Sequence, residues 1–414
     1  MKASESNPNY PSKVREMTNY TIREIKKVCK DIGPRPSGEE NERKAQDYVA
    51  DSMSKVADSV VKEKFELHPK AFMGWVPLDV ILMTISVILT LLSYFDVLPS
   101  ASTAFSVVSV VLTSLAIIFT FFEFLLYKKF LDPFFPKRET YNVVCTRKAA
   151  GETKRRIVFS GHIDSAYEWY FTHLGGGKLL TTMIALAFGA IAITLAASIV
   201  SFFDVPNGVR VTAIVVLFVC LIPILMCSLF VNWKLCVPGA NDNLTGVFAS
   251  MSVLRYMAAN DIRFENTEVV CVSMACEEAG LRGAKEYVKK HCGEDDVETV
   301  FVGTDTLRDF DDMGVYNKDM TGTVKLDKQA AAMVKHASDI AGYNLPYSSV
   351  FFGSSDAAAI QQGGMKAVAL AAMDPLRRDI TTQEAIQPTI LTPKPSRPAS
   401  TFFLKPRSSM TARA

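Results

Sequence analysis

His162, Asp164, Asp242, Glu277, Glu278 and Asp305 are the residues of this chain whose types and positions could do chemistry together. Each falls at the end of a strand-like run or in the loop after one. His162 and Asp164 follow RIVFSG at 156–161. The glutamate pair follows TEVVCVSMA at 267–275. Asp305 follows the short run 299–302, and Asp242 sits in GANDN at 239–243. A mixed imidazole and carboxylate set suits zinc, which takes nitrogen and oxygen ligands at about 2.0–2.2 Å. Two adjacent glutamates are easiest to reconcile if their roles differ. One can bind a cation while the other stays free to take a proton from bound water. A cation also removes the repulsion between two neighbouring negative charges. Each residue taken singly has an ordinary explanation. A His-x-Asp pair is common, two glutamates at a helix start complement the helix dipole, and Asp242 fits a turn or a helix cap. What argues for chemistry is the whole set in its order.

The elements that must position these residues alternate in type. Helical periodicity covers 20–54, broken by the Gly-Pro-Arg-Pro-Ser-Gly turn at 33–38. Strands are expected at 140–147, 156–161, 267–275, 299–302 and 366–372. Helices are expected at 245–257, 278–291 and 329–341. Unbroken apolar strands alternating with helices predict an α/β fold, with a mostly parallel central sheet covered by helices on both faces. Ligands of such sheets bind beyond the carboxyl ends of the strands, where the candidates fall.

Four apolar stretches interrupt this pattern: 75–95, 101–122, 179–203 and 211–233. About 20 helical residues cross a hydrocarbon core of about 30 Å, and all four are long enough. Helices apolar all round must be buried in a membrane or a large core, and the flanking segments look too small to supply that core. The links at 96–100 and 204–210 are short, so the spans form two tight hairpins. Lys70, Lys128, Lys129, Lys137, Arg138, Lys178 and Lys234 flank the long-loop side, while the tips carry only Arg210. The positive-inside rule then places the long segments in the cytoplasm of an integral, multi-pass membrane protein.

This gives six segments. Residues 1–74, 128–178 and 234–386 build the soluble domain. Residues 75–127 and 179–233 are the transmembrane hairpins, and 387–414 form a disordered, Pro- and Ser-rich tail. The 414 residues are 49% hydrophobic and 21% charged, with a formal net charge of +2, so no nucleic-acid partner is expected. The eight cysteines contain no C-x-x-C pair and read as buried thiols in a reducing compartment. The N-terminal segment lacks an apolar run, so no cleavable signal peptide is expected. A transporter fits poorly, because ionisable residues are nearly absent from the span interiors.

Six motifs together, GPRPSG (33–38), SGHIDS (160–165), PGANDNLTG (238–246), ACEEAGLRGAKEY (275–287), GTD (303–305) and GSSDAAAIQQGGMKAVAL (353–370), resemble the clan of co-catalytic zinc exopeptidases in composition and order. That clan includes bacterial leucyl aminopeptidases, glutamate carboxypeptidase and glutaminyl cyclase. The resemblance implies a zinc aminopeptidase acting on a peptide substrate, with the lipid bilayer as its other partner. It implies His162 and Asp305 on one zinc, Glu278 on the second, and Asp242 bridging both. Glu277 would be the general base and Asp164 would orient the His162 ring, the two making up the catalytic pair. The two ions would lie about 3.5–4 Å apart and share the nucleophilic water. The chain departs from the pattern at the clan's last ligand. Its histidines are His68, His162, His173, His291 and His336. None follows 336, and the expected ligand position falls at Pro375 or is deleted. The resemblance thus implies two zinc ions, one if the lost ligand is not replaced, or a catalytically silent scaffold on the same fold. Glutaminyl cyclase chemistry is a further alternative that no motif singles out.

Overall fold

Four parallel strands form the centre of a nine-stranded sheet, and the candidate residues hang from their carboxyl ends. The computed structural model describes residues 9–373. They divide into two compact units. One holds the described residues up to Pro69, Lys137–Tyr167 and those from Cys236 on. The other holds Lys70–Pro136 and Glu168–Leu235. The chain crosses between them at 69/70, 136/137, 167/168 and 235/236. The expected changes were at 74/75, 127/128, 178/179 and 233/234.

In chain order the elements are α1 (Tyr10–Asp31), α2 (Glu40–Met53), β1 (Ser59–Leu67), α3 (Val76–Tyr94), α4 (Ser102–Phe119), β2 (Arg138–Arg147), β3 (Arg155–His162) and β4 (Tyr167–Trp169). Then come α5 (Tyr170–Val200), α6 (Asn207–Met226), β5 (Val231–Cys236), α7 (Thr245–Ala259), β6 (Thr267–Met274), α8 (Arg282–His291) and β7 (Glu298–Asp305). The last are β8 (Gly314–Asp319), β9 (Val324–Lys325), α9 (Lys328–Ala341), β10 (Tyr347–Ser349), α10 (Asp356–Gln362) and β11 (Lys366–Ala371).

The large sheet runs β1-β2-β6-β3-β7-β11-β8-β10, with β9 beside β8. Strands β6, β3, β7 and β11 are mutually parallel, whereas β1–β2, β2–β6 and β11–β8 are antiparallel. Register places Phe159 of β3 beside Cys271 of β6 on one side and Val302 of β7 on the other. Those three strands are apolar on both faces because helices cover both. Helix α1 packs through Tyr20 against Phe248 of α7, edge to face at 6.4 Å, over a core that includes Val143, Ile157, Val269, Val302 and Leu370.

Helix α7 can sit close to the sheet because two glycines leave room. A Cβ on Gly161 would lie 2.3 Å from the Val247 nitrogen, and one on Gly246 would lie 2.3 Å from the Thr304 carbonyl oxygen. Helix α8 begins at Arg282 rather than at the expected Glu278. Cys276 and Leu281 take left-handed φ of 56° and 62°, so 275–281 forms a turn that presents the two glutamates.

In the second unit, four helical stretches are long and apolar enough to cross a membrane: Ala71–Tyr94, Pro99–Leu125, Tyr170–Val200 and Asn207–Leu229. The third starts nine residues before the expected 179, bending at Gly176 where φ is 67°. The fourth stops short of Trp233, because Val231–Cys236 is drawn into a two-stranded ribbon with β4. Hydroxyls fill the bundle interior. Ser86 and Thr90 of α3 meet Ser109 and Thr113 of α4 and Ser198 of α5 at 2.6–2.8 Å.

Candidate metal centre

The structure brings all six predicted residues into one cluster, with Glu278 half-buried and the others buried. His162 ends β3 and Asp305 ends β7, two adjacent parallel strands, so their side chains leave the sheet at the same edge. His162 Nε2 lies 3.0 Å from Asp242 Oδ1, 3.9 Å from Glu277 Oε2 and 3.9 Å from Asp305 Oδ1. Donor atoms of His162, Asp242 and Asp305 lie within 4.8 Å of one another, and so do those of His162, Glu277 and Glu278. His162, shared by the two groups, is 2% exposed.

Asp242 reaches the cluster through side chain to backbone ties that hold its loop against β7. Asn243 Nδ2 donates to the Thr304 carbonyl at 2.8 Å, and Asn243 Oδ1 accepts from Gly246 N at 2.9 Å. Leu307 N donates to Thr245 Oγ1 at 3.0 Å and Arg308 N to Asn241 Oδ1 at 3.1 Å. The loop after β7 is thereby fixed to the same frame.

Asp164 holds the other side. Its Oδ1 lies 3.4 Å from His162 Nδ1, on the ring face opposite Asp242. It also accepts the backbone N–H groups of Glu277 and Glu278 at 3.1 and 3.0 Å and the Ser37 hydroxyl at 2.7 Å. One carboxylate therefore lies beside the imidazole and anchors the turn that carries both glutamates. Burial works against its ionisation, but the bonds from His162, Ser37 and the Glu277 amide outweigh burial and hold it below the usual carboxylate range.

Four contributors in this neighbourhood carry no assigned role in the sequence reading. Arg35, fully buried in the Pro/Gly turn, donates Nε to Ile163 O at 2.6 Å. Its Nη1 reaches Gly33 O and Pro238 O at 2.8 Å, and its Nη2 reaches Gly239 O at 3.0 Å. It thus joins the loop bearing His162 and Asp164 to the loop bearing Asp242. Ser37, two residues on, is the Asp164 donor. Glu42, also fully buried, accepts from Gly38 N, Thr140 Oγ1 and Cys276 N at 2.9, 2.7 and 2.8 Å. Burial, and then Asp164, push its carboxyl up to about 7. Asp356 opens α10 and is 6% exposed. Burial, eased in part by His162, raises its carboxyl to about 7. The signals were present as a lone arginine among prolines and an acid at a helix start, but neither spacing points to these partners.

The residues fit a cation. Burial pushes Glu277, Glu278 and Asp305 well above the usual carboxylate range. The His162 charge relieves each in part, while neighbouring acids raise them further. Burial disfavours a charge on His162, yet the surrounding acids pull it well upward. Asp305 Oδ1 and Asp356 Oδ1 are buried without a hydrogen-bond partner among the described residues. Four crowded acids with open lone pairs around one imidazole are what a bound divalent ion would compensate, and the nitrogen and oxygen donors are those zinc takes. The position expected for the clan's last histidine, at Pro375, and the 387–414 tail lie outside the described residues.

Comparison with known proteins agrees with the motifs. Residues 228–388 match peptidase family M28. Among solved structures, a zinc aminopeptidase of Bacillus subtilis superposes with a TM-score of 0.50 at 12% identity, covering 90% of each chain. LapA of Legionella pneumophila gives 0.50 at 11% identity, covering 97% of this chain and 74% of its own. A glutaminyl cyclase from an Acidobacteriales bacterium gives 0.48 at 10% identity, over 90% and 86%. At these identities the likeness is one of fold. A search of curated proteins finds no match. The match over 228–388 and the shared fold agree with the resemblance to the co-catalytic zinc exopeptidases that the motifs carry.

Proposed function

We propose that this chain is a membrane-anchored zinc aminopeptidase that removes N-terminal residues from short peptides, with its catalytic unit on the cytoplasmic side. The family match supports a zinc-dependent hydrolase. The observation that carries the finer reading is the approach of Asp242, Glu277 and Asp305 oxygens to within 3.9 Å of His162 Nε2. Orientation rests on the basic residues that flank the long loops, and the bilayer on the four apolar helices.

In this reading His162, Asp242, Asp305 and Glu278 would hold the metal, one or two ions. Zinc bound there would supply Lewis-acid polarisation of the scissile carbonyl and a more acidic water. Asp164 fixes the His162 ring through Nδ1 and so aims Nε2 at the ion. Glu277 is the base. Its carboxyl has a high proton affinity for an acid, so it can take a proton from water and return it to the leaving amine. Its backbone N–H bond to Asp164 keeps it beside His162 rather than turned to solvent.

The test is hydrolysis of aminoacyl chromogenic substrates by the full chain in detergent. Glu277→Gln is expected to lower kcat by roughly a hundredfold or more with zinc content unchanged. An unchanged rate contradicts the reading. A silent scaffold is the second reading, favoured by the lack of any histidine beyond His336. It predicts no hydrolysis by the native chain either.

A further inference from the structure

The second unit carries a separate feature that the hydrolase reading does not use. Asp79 lies in the first turn of α3, about one helical turn inside the apolar stretch, and is 6% exposed. Its Oδ2 accepts the Thr120 hydroxyl at 2.8 Å. Its Oδ1 is buried with no hydrogen-bond partner among the described residues. Asp79 lines a cavity of about 80 Å³ whose other walls include Trp75, Met83, Phe124, Ala187 and Phe188. Elsewhere in the bundle interior, serines and threonines of α3, α4 and α5 pair hydroxyl to hydroxyl. Asp79 is instead an acid with one oxygen held and the other open toward an apolar space.

We infer that this cavity is a binding site for a lipid-partitioned primary amine, its ammonium on Asp79 Oδ1 and its first methylenes among the apolar walls. The chemistry selects that class. A metal cation needs several oxygen ligands, and the walls offer one carboxylate and otherwise carbon, sulfur and a hydroxyl already engaged. A neutral hydrocarbon would fill the space but leave the carboxylate oxygen unpaired, which is unfavourable in an apolar site. An ammonium supplies the missing donor and the opposite charge together. The volume admits only a few heavy atoms, so a longer chain must extend out past Phe188, which is 37% exposed at the bundle surface. Charged residues inside membrane spans are rare and are generally paired or functional. Among the described residues no basic side chain pairs with Asp79, which leaves its partner to a ligand.

The probe pair is n-octylamine against n-octanol, equal in length and differing in the head group. The full chain is held in nanodiscs of zwitterionic lipid, so that surface charge does not concentrate the amine. Trp75 reports binding in a Trp169→Phe, Trp233→Phe background. Octylamine is expected to bind roughly tenfold or more tighter than octanol, the scale of a charge-assisted hydrogen bond. Asp79→Asn keeps an acceptor for Thr120 and should abolish that preference while leaving octanol binding within about twofold. Ala187→Phe fills the cavity and should weaken both probes. Equal binding of amine and alcohol by the native chain overturns the proposal. So does an amine preference that survives Asp79→Asn, or octylamine binding unaffected by Ala187→Phe. Loss of peptidase activity has no bearing on either outcome, so this test and the hydrolase test fail separately.

Discussion

The two units bury polar groups in opposite ways. At the sheet edge of the first, one imidazole is surrounded by acids whose charges oppose one another, and two carboxylate oxygens lack any partner among the described residues. In the second, serine and threonine hydroxyls of three helices meet one another in a network of hydrogen bonds. Hydroxyls carry no net charge and can pair among themselves, so a helix bundle can bury them as adhesive. Carboxylates cannot pair with each other when ionised. Their crowding is the arrangement that a bound cation would compensate. The first pattern is that of a candidate metal site and the second that of an architectural core.

The comparison can be broken at several points. The largest effect is expected at Arg35, because its planar fork ties the two loops that carry candidate metal ligands through four carbonyls. Arg35→Lys keeps the charge but cannot span that geometry. Zinc affinity should fall roughly 10- to 100-fold, as for other residues that orient metal ligands. Competition with a chromogenic chelator measures this, and unchanged affinity would reduce Arg35 to a structural tie. Ser109→Ala comes next. It removes contacts to Ser86, Thr90 and Ser198 together and should lower the thermal stability of the bundle by about 0.5–1.5 kcal/mol, with zinc affinity unaffected. A change in zinc affinity would contradict the separation drawn here.

The smallest effect belongs to an exposed pair. Two hydrogen bonds from Arg263, at 2.6 and 2.7 Å, hold the Asp58 carboxyl down to about 2. An acid whose pKa is lowered by folding stabilises the fold above its unfolded value, near 3.9. That contribution is lost as pH falls through about 2. Asp58→Asn should therefore cost under about 1 kcal/mol at pH 7, partly screened by solvent. The difference from the native chain should shrink as pH is lowered, and melting curves at stepped pH check the sign.

Much of this could be read in the sequence, for a local reason. Strands β3, β6 and β7 are short apolar runs, and their chemistry-bearing residues end them or follow within a few positions, so element and site share one signal. The strands without an expectation were β1, whose SVVKEKFEL alternates with charge, and β4, β5, β8, β9 and β10, which have too few residues to show a period. Arg35 and Ser37 could not be given roles, because their partners lie 127 to 204 residues away. A Pro/Gly cluster announces a turn but not what the turn clasps. Span ends were missed for a similar reason. Hydropathy continues through Trp233, and only pairing with β4 withdraws that segment from the helix.

Zinc content of the purified full chain, after reconstitution and removal of loose metal, tests the central claim most directly. About one to two ions per chain are expected, lost in Asp242→Ala and retained in Glu277→Gln. A native chain that holds no zinc, or an Asp242→Ala variant that holds as much as the native chain, would contradict it.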